Sequence, residues 1–250
     1  MSTPQHIVII GATSAMAEHC ARLWVQAAPV HLTLVGRDEA RTQRVADDLR
    51  VRSPQSNVQV MTADFVHASA IQKTVNTIVA QSAVDVVLIA HGVLSDQTIC
   101  QDDVLACDAA LQVNGVSPVL FAEAFAKSMV AANHGTIAII GSVAGDRGRK
   151  TNYVYGAAKG LVSRYVQGMQ HRLAHTHVKV VLIKPGPTDT PMTSDLKAKG
   201  QKMASVEQVA QDIVKGIAAG KPVVYTPGIW QIIMLVVMHL PRFVFNKLNI

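Results

Sequence analysis

Short apolar runs rich in β-branched residues alternate along this chain with segments of helical length. The runs are HIVII (6–10), HLTLV (31–35), NVQVM (57–61), DVVLIA (85–90), TIAII (136–140), VKVVLI (178–183) and PVVYT (222–226). Segments such as Ser14–Ala27, Glu39–Arg50 and Ala68–Gln81 lie between them. Because strands that alternate with helices build right-handed βαβ units, the pattern predicts an α/β fold: a Rossmann-like, doubly wound parallel sheet of seven strands.

The chain is predicted to be one domain, residues 1–226, followed by an apolar helical tail, residues 227–250. With 250 residues and 49% hydrophobic content it can bury a sizeable core. The N-terminus lacks the basic and apolar regions of a signal peptide, and the three cysteines lack metal-site spacing. We therefore expect a cytoplasmic protein with reduced thiols and no metal.

The net charge of +6 is unevenly placed along the chain. Three cations after residue 220 face no acidic residue there: Lys221, Arg242 and Lys247. This asymmetry favours an anionic membrane surface over nucleic acid as a partner, and no nucleic-acid module is visible.

The first strand leads directly into a turn of small residues, Gly11-Ala-Thr-Ser-Ala-Met-Ala17, and then a helix. Backbone N–H groups and the positive end of a helix dipole make such a turn a docking place for a dinucleotide pyrophosphate. The residues predicted to bind it are Gly11, Thr13, Ser14, Ala15 and Met16. Ala15 and Ala17 stand where glycines are usual, and many βα turns with small residues look similar.

The end of the second strand reads LVGRDEA, with Gly36 where NAD-binding folds usually carry an acidic residue. Arg37 follows, and a guanidinium can pair with a ribose 2′-phosphate. This favours NADP(H) over NAD(H). The alternative is that Arg37 merely begins a solvated helix, and Asp38 beside it adds to the ambiguity.

A serine and a Tyr-x-x-x-Lys sequence follow the fifth strand: Ser142, Tyr155 and Lys159. Positions i and i+4 share a helix face, so the Lys159 ammonium is expected to lower the pKa of Tyr155. Tyr155 could then donate a proton to a carbonyl oxygen that Ser142 hydrogen-bonds, while a nicotinamide delivers hydride. Tyr153 is expected to line the substrate pocket.

With these motifs the chain resembles the short-chain dehydrogenase/reductase family over residues 5–226. The resemblance implies adenine contacts at Asp64 and Phe65, and a cofactor loop at Ala90, His91 and Gly92, where the family usually shows Asn-Ala-Gly. It implies a proton relay through Asn114 to the active-site lysine. It also implies a segment that closes over the nicotinamide, with Pro185, Gly186, Thr188 and Thr190. His91 departs from the family pattern and is expected to be a packed loop residue.

Cationic residues flank the expected active-site mouth. Arg147, Arg149 and Lys150 lie between Ser142 and Tyr155, and further lysines follow the nicotinamide segment at 197, 199 and 202. Two such groups would suit a phosphate-bearing substrate. The alternative is ordinary solvated surface.

The tail has no Asp, Glu, Lys or Arg over the twenty residues from Pro222 to Pro241. A stripe of apolar residues is expected to dock on a core or a partner: Ile229, Ile232, Ile233, Val236, Val237 and Leu240. A helix of about 12 residues rises only ~18 Å, too short for the ~30 Å of hydrocarbon in a bilayer. Residues 228–245 could instead lie in the membrane interface, with Trp230 at headgroup depth, or be buried in an oligomer.

The sequence around Gly92-Val-Leu-Ser-Asp-Gln97 and the tail resemble one subfamily, the reductase partners of decaprenylphosphoryl-ribose 2′-epimerase. This implies reduction of the 2-keto group of a polyprenyl-phosphate-linked sugar in cell-envelope polysaccharide synthesis, at the inner face of the cytoplasmic membrane. A flavoenzyme partner and a homo-oligomer are further expectations. The alternatives are a membrane-associated reductase of a hydrophobic ketone, such as a sterol or 3-keto lipid, and a non-catalytic nucleotide-binding subunit.

Overall fold

The computed structural model describes residues 4–248, and it has the predicted parallel sheet of seven strands, in the order β3-β2-β1-β4-β5-β6-β7. The strands are β1 His6–Ile10, β2 His31–Gly36, β3 Asn57–Thr62, β4 Val86–Ile89, β5 Thr136–Ile140, β6 Lys179–Pro185 and β7 Val223–Thr226. Every neighbouring pair is parallel, which confirms the predicted Rossmann-like α/β fold.

Helices follow the strands as the alternating pattern predicted. They are α1 Ala15–Ala27, α2 Glu39–Arg52, α3 Ala68–Gln81, α4 Gln97–Asp102, α5 Val104–Leu111, α6 Ser117–Ala132, α7 Tyr153–Arg172, α8 Ser194–Ala198, α9 Val206–Ala218, α10 Ile229–His239 and α11 Arg242–Phe245. A π-helical turn, Gln112–Val116, joins α5 to α6. The division into residues 1–226 and 227–250 stays a prediction, and its ends at 1–3 and 249–250 lie outside the described residues.

The sheet is buried on both faces, so its core has two halves. On β1, Ile7 and Ile9 pack with α1, α2 and α9, while Val8 and Ile10 pack with α3, α6 and α7. Successive strand residues point to opposite faces, so a strand covered on both sides reads as a continuous apolar run. This is why the strands stand out in the sequence.

The strand order reverses at β1, which pairs with both β2 and β4. In open parallel sheets, ligands bind in the crevice beyond the carboxyl ends of the strands at this point. The turns after β1, β4, β5 and β6 meet at this edge and carry most of the predicted site residues.

One helical stretch among the described residues, Val104–Ala132, is long and apolar enough to cross a membrane by length and composition. Its side chains Phe121 and Phe125 are fully buried against the sheet. It therefore serves as a core helix in this fold.

The tail helix, α10, packs on the domain by the face opposite to most of the predicted stripe. Met234 is buried and Trp230 and Val237 are partly buried, whereas Ile232 and Val236 are 62% and 57% exposed. Of the two alternatives expected for the stripe, docking on this chain's core is wrong for Ile232 and Val236, and docking on a partner stays a prediction. The reason is that both ends of the helix are held. Trp230 lies on Gly186 at one end, and Arg147 donates to the Leu240 carbonyl at the other, and these contacts fix the rotation of the helix.

Candidate active site

The turn after β1 has the geometry of a phosphate cradle. Gly11 has φ +85°, and a Cβ there would lie 2.7 Å from the backbone nitrogen of His91, so only glycine fits. Ser14 precedes α1 and its side chain makes no capping hydrogen bond. The N–H groups of the first helical turn have no intrahelical partners, so they are donors suited to a pyrophosphate.

The end of β2 excludes an acidic side chain. A Cβ at Gly36 would lie 2.0 Å from Oγ1 of Thr42, so an Asp or Glu there would require the Thr42 side chain to move. Asp38 is also committed, because its carboxylate accepts a hydrogen bond of 2.9 Å from the Arg41 backbone nitrogen and caps α2. Arg37 is exposed beside it. This donor set fits a ribose 2′-phosphate better than a free 2′-hydroxyl.

His91 is packed in the core behind the cofactor loop, as predicted. Its ring meets Phe65 and Phe121 edge-on, at centroid distances of 4.8 and 5.7 Å, and Nε2 lies 2.8 Å from Oγ of Ser117. Burial, with smaller effects from the charges of Lys159 and Arg37, lowers the pKa of His91 to about 3. The imidazole is therefore neutral at ordinary pH and is no base for the reaction.

Ser142 is placed by the loop between β5 and α7, residues 141–152, which we call the β5–α7 loop. Its hydroxyl accepts a 3.1 Å hydrogen bond from the Ala144 backbone nitrogen and so caps a short 3-10 turn. A Cβ at Gly145 would lie 2.6 Å from the carbonyl carbon of Lys159. Since loop and helix backbones touch here, Ser142 is held rigidly relative to the catalytic helix.

Tyr155 and Lys159 lie one turn apart on α7, as the spacing predicted. The Lys159 ammonium donates a 2.9 Å hydrogen bond to the carbonyl of Ile140 and lies 5.8 Å from the centroid of the Tyr155 ring. Burial lowers the pKa of Lys159 to about 8.

Burial raises the pKa of Tyr155, and its hydrogen bond with Ser142 offsets part of that shift. The expectation that Lys159 lowers the pKa of this phenol is therefore wrong for this arrangement. The physical reason is that burial penalises the phenolate, while the ammonium of Lys159 donates to the Ile140 carbonyl.

Asn114 sits fully buried in the π-helical turn between α5 and α6. Its Oδ1 accepts a 2.9 Å hydrogen bond from the Val93 backbone nitrogen, and its Nδ2 donates to the carbonyl of Ala110 at 2.9 Å. A Cβ at Gly92 would lie 2.9 Å from Asn114 Oδ1 and 3.7 Å from Lys159 Nζ. The structure thus brings Asn114, Lys159 and the Ala90–Gly92 loop together.

The segment after β6 begins at Pro185 and Gly186 and runs along the same edge of the sheet. Thr188 is buried, and its hydroxyl donates to the Gly186 carbonyl at 3.0 Å. Thr190 forms a capping box with Thr193. Both threonine side chains hold the segment's own fold, and their predicted cofactor contacts stay predictions.

Asp64 follows β3 and is engaged within its own turn. Its carboxylate accepts hydrogen bonds from the backbone nitrogens of Val66, at 2.6 Å, and His67, at 3.1 Å, and these bonds lower the pKa of Asp64 to about 2. Phe65 is buried against His91. The predicted adenine contacts at both positions stay predictions.

The four tentative substrate residues differ in their surroundings. Tyr153 and Lys150 are exposed. Arg149 is partly buried, which lowers the pKa of its guanidinium, and it has no acidic partner among residues 4–248. Arg147 is committed to the tail: its guanidinium donates to the carbonyls of Val237 and Leu240, at 2.5 and 2.7 Å. Arg147 is therefore unavailable for the phosphate contact expected of it.

Sequence reasoning missed two further features at this edge. Gly145 and Gly156 let the β5–α7 loop lie on α7, since a Cβ at Gly156 would be 3.0 Å from the Ala144 carbonyl oxygen. Glycines at positions 145 and 156, one on each contacting element, were the available signal. The second is a buried ion pair between Lys184 and Asp146, with 2.5 Å between Nζ and Oδ1, and no sequence pattern pointed to it.

Comparisons with known proteins agree with this geometry. The family model for short chain dehydrogenases matches residues 5–201. An uncharacterized oxidoreductase of Streptomyces coelicolor is 26% identical over 245 residues, which are 98% of this chain and 96% of that protein. A short-chain dehydrogenase from Sphingobium yanoikuyae was solved in complex with NADPH. It matches with a TM-score of 0.82 at 20% identity, over 98% of this chain and 96% of the Sphingobium chain. A bulky-bulky ketone specific alcohol dehydrogenase from Comamonas testosteroni has a TM-score of 0.80 at 19% identity, covering 96% of each chain.

We expect the buried imidazole of His91 to make the fold sensitive to acid. Its pKa of about 3 lies below the unfolded value of 6.5, so its contribution is complete above pH 6.5 and is lost as the pH falls towards 3. Between pH 7 and pH 4, the unfolding free energy of the wild type should fall by about 3 kcal/mol more than that of His91→Gln. Denaturant unfolding at several pH values measures this, with the exposed His175→Gln as control. Parallel pH curves for wild type and His91→Gln would contradict the expectation.

Proposed function

The chain belongs to the short-chain dehydrogenase family and is an oxidoreductase, and on that premise we propose that it is an NADP(H)-dependent reductase of a ketone carried by an anionic lipid. The specific candidate is the 2-keto group of a sugar linked to polyprenyl phosphate, in cell-envelope polysaccharide synthesis at the inner face of the cytoplasmic membrane. The observation that carries the substrate proposal is that Arg149 is partly buried and has no acidic partner among residues 4–248, in a loop that also holds the apolar tail.

Three features support NADP(H) as the cofactor. The Gly11 turn offers backbone N–H groups to the pyrophosphate, the steric limit at Gly36 excludes an acid that would bind a 2′-hydroxyl, and Arg37 can pair with a 2′-phosphate. The Sphingobium protein with the same fold was solved with NADPH. When bound, such a cofactor supplies the hydride.

The chain's own residues handle the proton and the carbonyl oxygen. The Tyr155 hydroxyl donates its proton to that oxygen, and the Ser142 hydroxyl hydrogen-bonds the same atom. Because the Tyr155 phenol keeps its proton well above neutral pH, it is an acid ready to donate. Lys159, with a pKa of about 8, can return a proton to Tyr155 near neutral pH, and Asn114 holds the neighbouring loop in place.

The charge of the β5–α7 loop favours an anionic substrate. A partly buried guanidinium without a carboxylate partner is a costly arrangement, and a phosphate would satisfy it with charge-assisted hydrogen bonds. Arg149 is such a group among the described residues. Arg147 is bound to the tail, so Arg149 and Lys150 are the cations of this loop that remain for such a contact, one fewer than the sequence suggested.

The exposed face of the tail helix supports docking on an anionic membrane. Ile232 and Val236 lie on that face, and Phe243 is exposed just beyond it. Arg242 and Lys247 lie on either side of Phe243 in the sequence, which has no Asp or Glu after Asp212. Apolar side chains flanked by cations suit the interface of an anionic bilayer. The flavoenzyme partner and self-association through the helices that flank Asn114 and Tyr155 stay predictions.

Replacing the phenol of Tyr155 should stop the chemistry without emptying the site. Because general acid catalysis contributes ~10²–10⁴-fold, we expect Tyr155→Phe to lose that factor in ketone turnover while NADPH affinity changes little. Tyr165→Phe, on the same helix but hydrogen-bonded to Glu123, is the matched control. A cellular role that survives Tyr155→Phe would favour the non-catalytic subunit instead.

The substrate proposal is tested by Arg149→Gln with two ketones, one on a polyprenyl phosphate sugar and one neutral. Loss of charge-assisted hydrogen bonds worth ~1.5–3 kcal/mol should raise KM for the anionic lipid by about 10–100-fold. KM for the neutral ketone should change little. Arg164→Gln, an exposed arginine on α7, controls for net charge. Equal effects of Arg149→Gln on both ketones would refute phosphate recognition and favour the alternative, a reductase of a neutral hydrophobic ketone.

The membrane proposal is tested by vesicle co-sedimentation of the full chain. Ile232→Ser with Val236→Ser should weaken binding to phosphatidylglycerol vesicles by about 30–900-fold, since each apolar side chain contributes ~1–2 kcal/mol when buried in lipid. The control pair, Val51→Ser with Val104→Ser, removes valines that are 83% and 81% exposed on other elements. Wild-type protein that ignores these vesicles but changes oligomeric state with the tail variant would assign the face to a second copy.

A further inference from the structure

Asp146, in the β5–α7 loop, belongs to a buried polar cluster that the proposed reaction does not use. The Lys184 ammonium donates to Asp146 Oδ1 at 2.5 Å, and the Tyr225 hydroxyl donates to Asp146 Oδ2 at 3.0 Å. The side chains of Lys184 and Asp146 are nearly inaccessible to solvent. The cluster therefore ties the loop that follows Ser142 to the ends of β6 and β7.

Arg147, the next residue, reaches in the other direction, to the carboxyl end of the tail helix. Its guanidinium donates to the carbonyls of Val237, Leu240 and, at 3.3 Å, Met238, and it stacks on the ring of Phe245 at 3.8 Å from the centroid. The last carbonyls of a helix have no intrahelical partners and carry partial negative charge, so a cation stabilises them. Arg147 is in effect the cap of the tail helix, supplied from the active-site loop.

The amino end of the tail helix touches a second active-site segment. Trp230 lies on Gly186, so closely that a Cβ at residue 186 would be 1.9 Å from the indole nitrogen. Gly186 follows Pro185 at the end of β6, in the segment that resembles the family's nicotinamide loop. The tail helix therefore spans the two loops that flank the reacting groups, one at each of its ends.

We propose that Arg147 and Trp230 are positioning residues, through which the tail helix holds the β5–α7 loop and the Pro185–Gly186 segment at a fixed separation. Ser142 lies in the first segment, and Thr188 and Thr190, which are predicted to contact the cofactor, follow the second. The Lys184–Asp146 pair anchors one point of the loop. Without the contacts of the tail helix, the loop could turn about that point. The inference rests on the proposed function only because the affected rate is that of ketone reduction.

The contacts are better explained by positioning than by stability alone. A helix whose outer face is exposed contributes little core, and Met234 is the one buried residue that it has among residues 229–239. Buried ion pairs such as Lys184–Asp146 give little net stability after desolvation, but they fix geometry. Both features constrain the same loop, next to Ser142.

The experiment compares Arg147→Ala with the matched control Arg164→Ala in the full chain carrying Trp24→Phe. The chain has two tryptophans, so Trp230 is then the remaining one and its emission reports on the tail. Amide exchange over residues 229–245 gives a second readout that needs neither cofactor nor substrate. Turnover of a neutral ketone and the Kd for NADPH complete the set.

For Arg147→Ala we expect red-shifted Trp230 emission and faster amide exchange in the tail. We expect kcat to fall by about 10–100-fold, because a small misplacement of reacting groups has effects of that size, with a smaller change in KM. The Kd for NADPH should rise several-fold. Arg147→Lys, which keeps the charge but not the fork of donors, should fall between Arg147→Ala and wild type.

Two results would overturn the inference. In one, Trp230 emission and amide exchange show that the tail is released, but kcat and the Kd for NADPH match those of Arg164→Ala. In the other, emission and exchange do not change at all. If Arg147→Ala does not fold, Trp230→Phe tests the other end of the helix, and unchanged exchange over residues 185–190 with unchanged kcat would refute the idea. A protein that reduces neutral ketones but no anionic lipid would refute the substrate proposal alone, since these readouts use no lipid.

Discussion

The contact on which the site most depends is that between the β5–α7 loop and the backbone of α7. Gly145 lies against the carbonyl of Lys159, closer than any side chain would permit. At the end of β5, the Ile140 carbonyl accepts a hydrogen bond from the Lys159 ammonium. Because two backbones touch, the approximate spacing of Ser142, Tyr155 and Lys159 is set by the main chain, and side-chain contacts of the loop refine it. A binding crevice at the carboxyl edge of the sheet thereby becomes a reaction centre.

Around this centre, several charged side chains stabilise the structure. Lys184 and Asp146 pair with each other in the interior, and Arg147 caps the tail helix. Arg149, two residues further along, is partly buried and has no acidic partner among the described residues. Neighbouring cations in one loop thus have different tasks, which depend on the partner that each reaches. The tail helix in turn has an exposed apolar face, while its two ends contact Gly186 and Arg147.

The strands and the positions of Ser142, Tyr155 and Lys159 could be predicted because they depend on local order. A strand buried on both faces is an apolar run, and an i, i+4 pair shares a helix face wherever the helix lies. The pKa of Tyr155 could not be predicted, since it depends on burial and on where the Lys159 ammonium points. The role of Arg147 was also hidden, because its carbonyl partners lie 90 to 93 residues away in the chain.

The sequence by itself determined the parallel sheet, the phosphate-type turn at Gly11, and an apolar, basic tail, because periodicity and residue type act over short distances. Only the tertiary structure decided which face of the tail helix is exposed and which cation is free to bind. Helix rotation is set by its end contacts, Trp230 on Gly186 and Arg147 on the last carbonyls. Those contacts join residues that are far apart in the chain, and the free energy of such pairs depends on burial and distance, which no local pattern encodes.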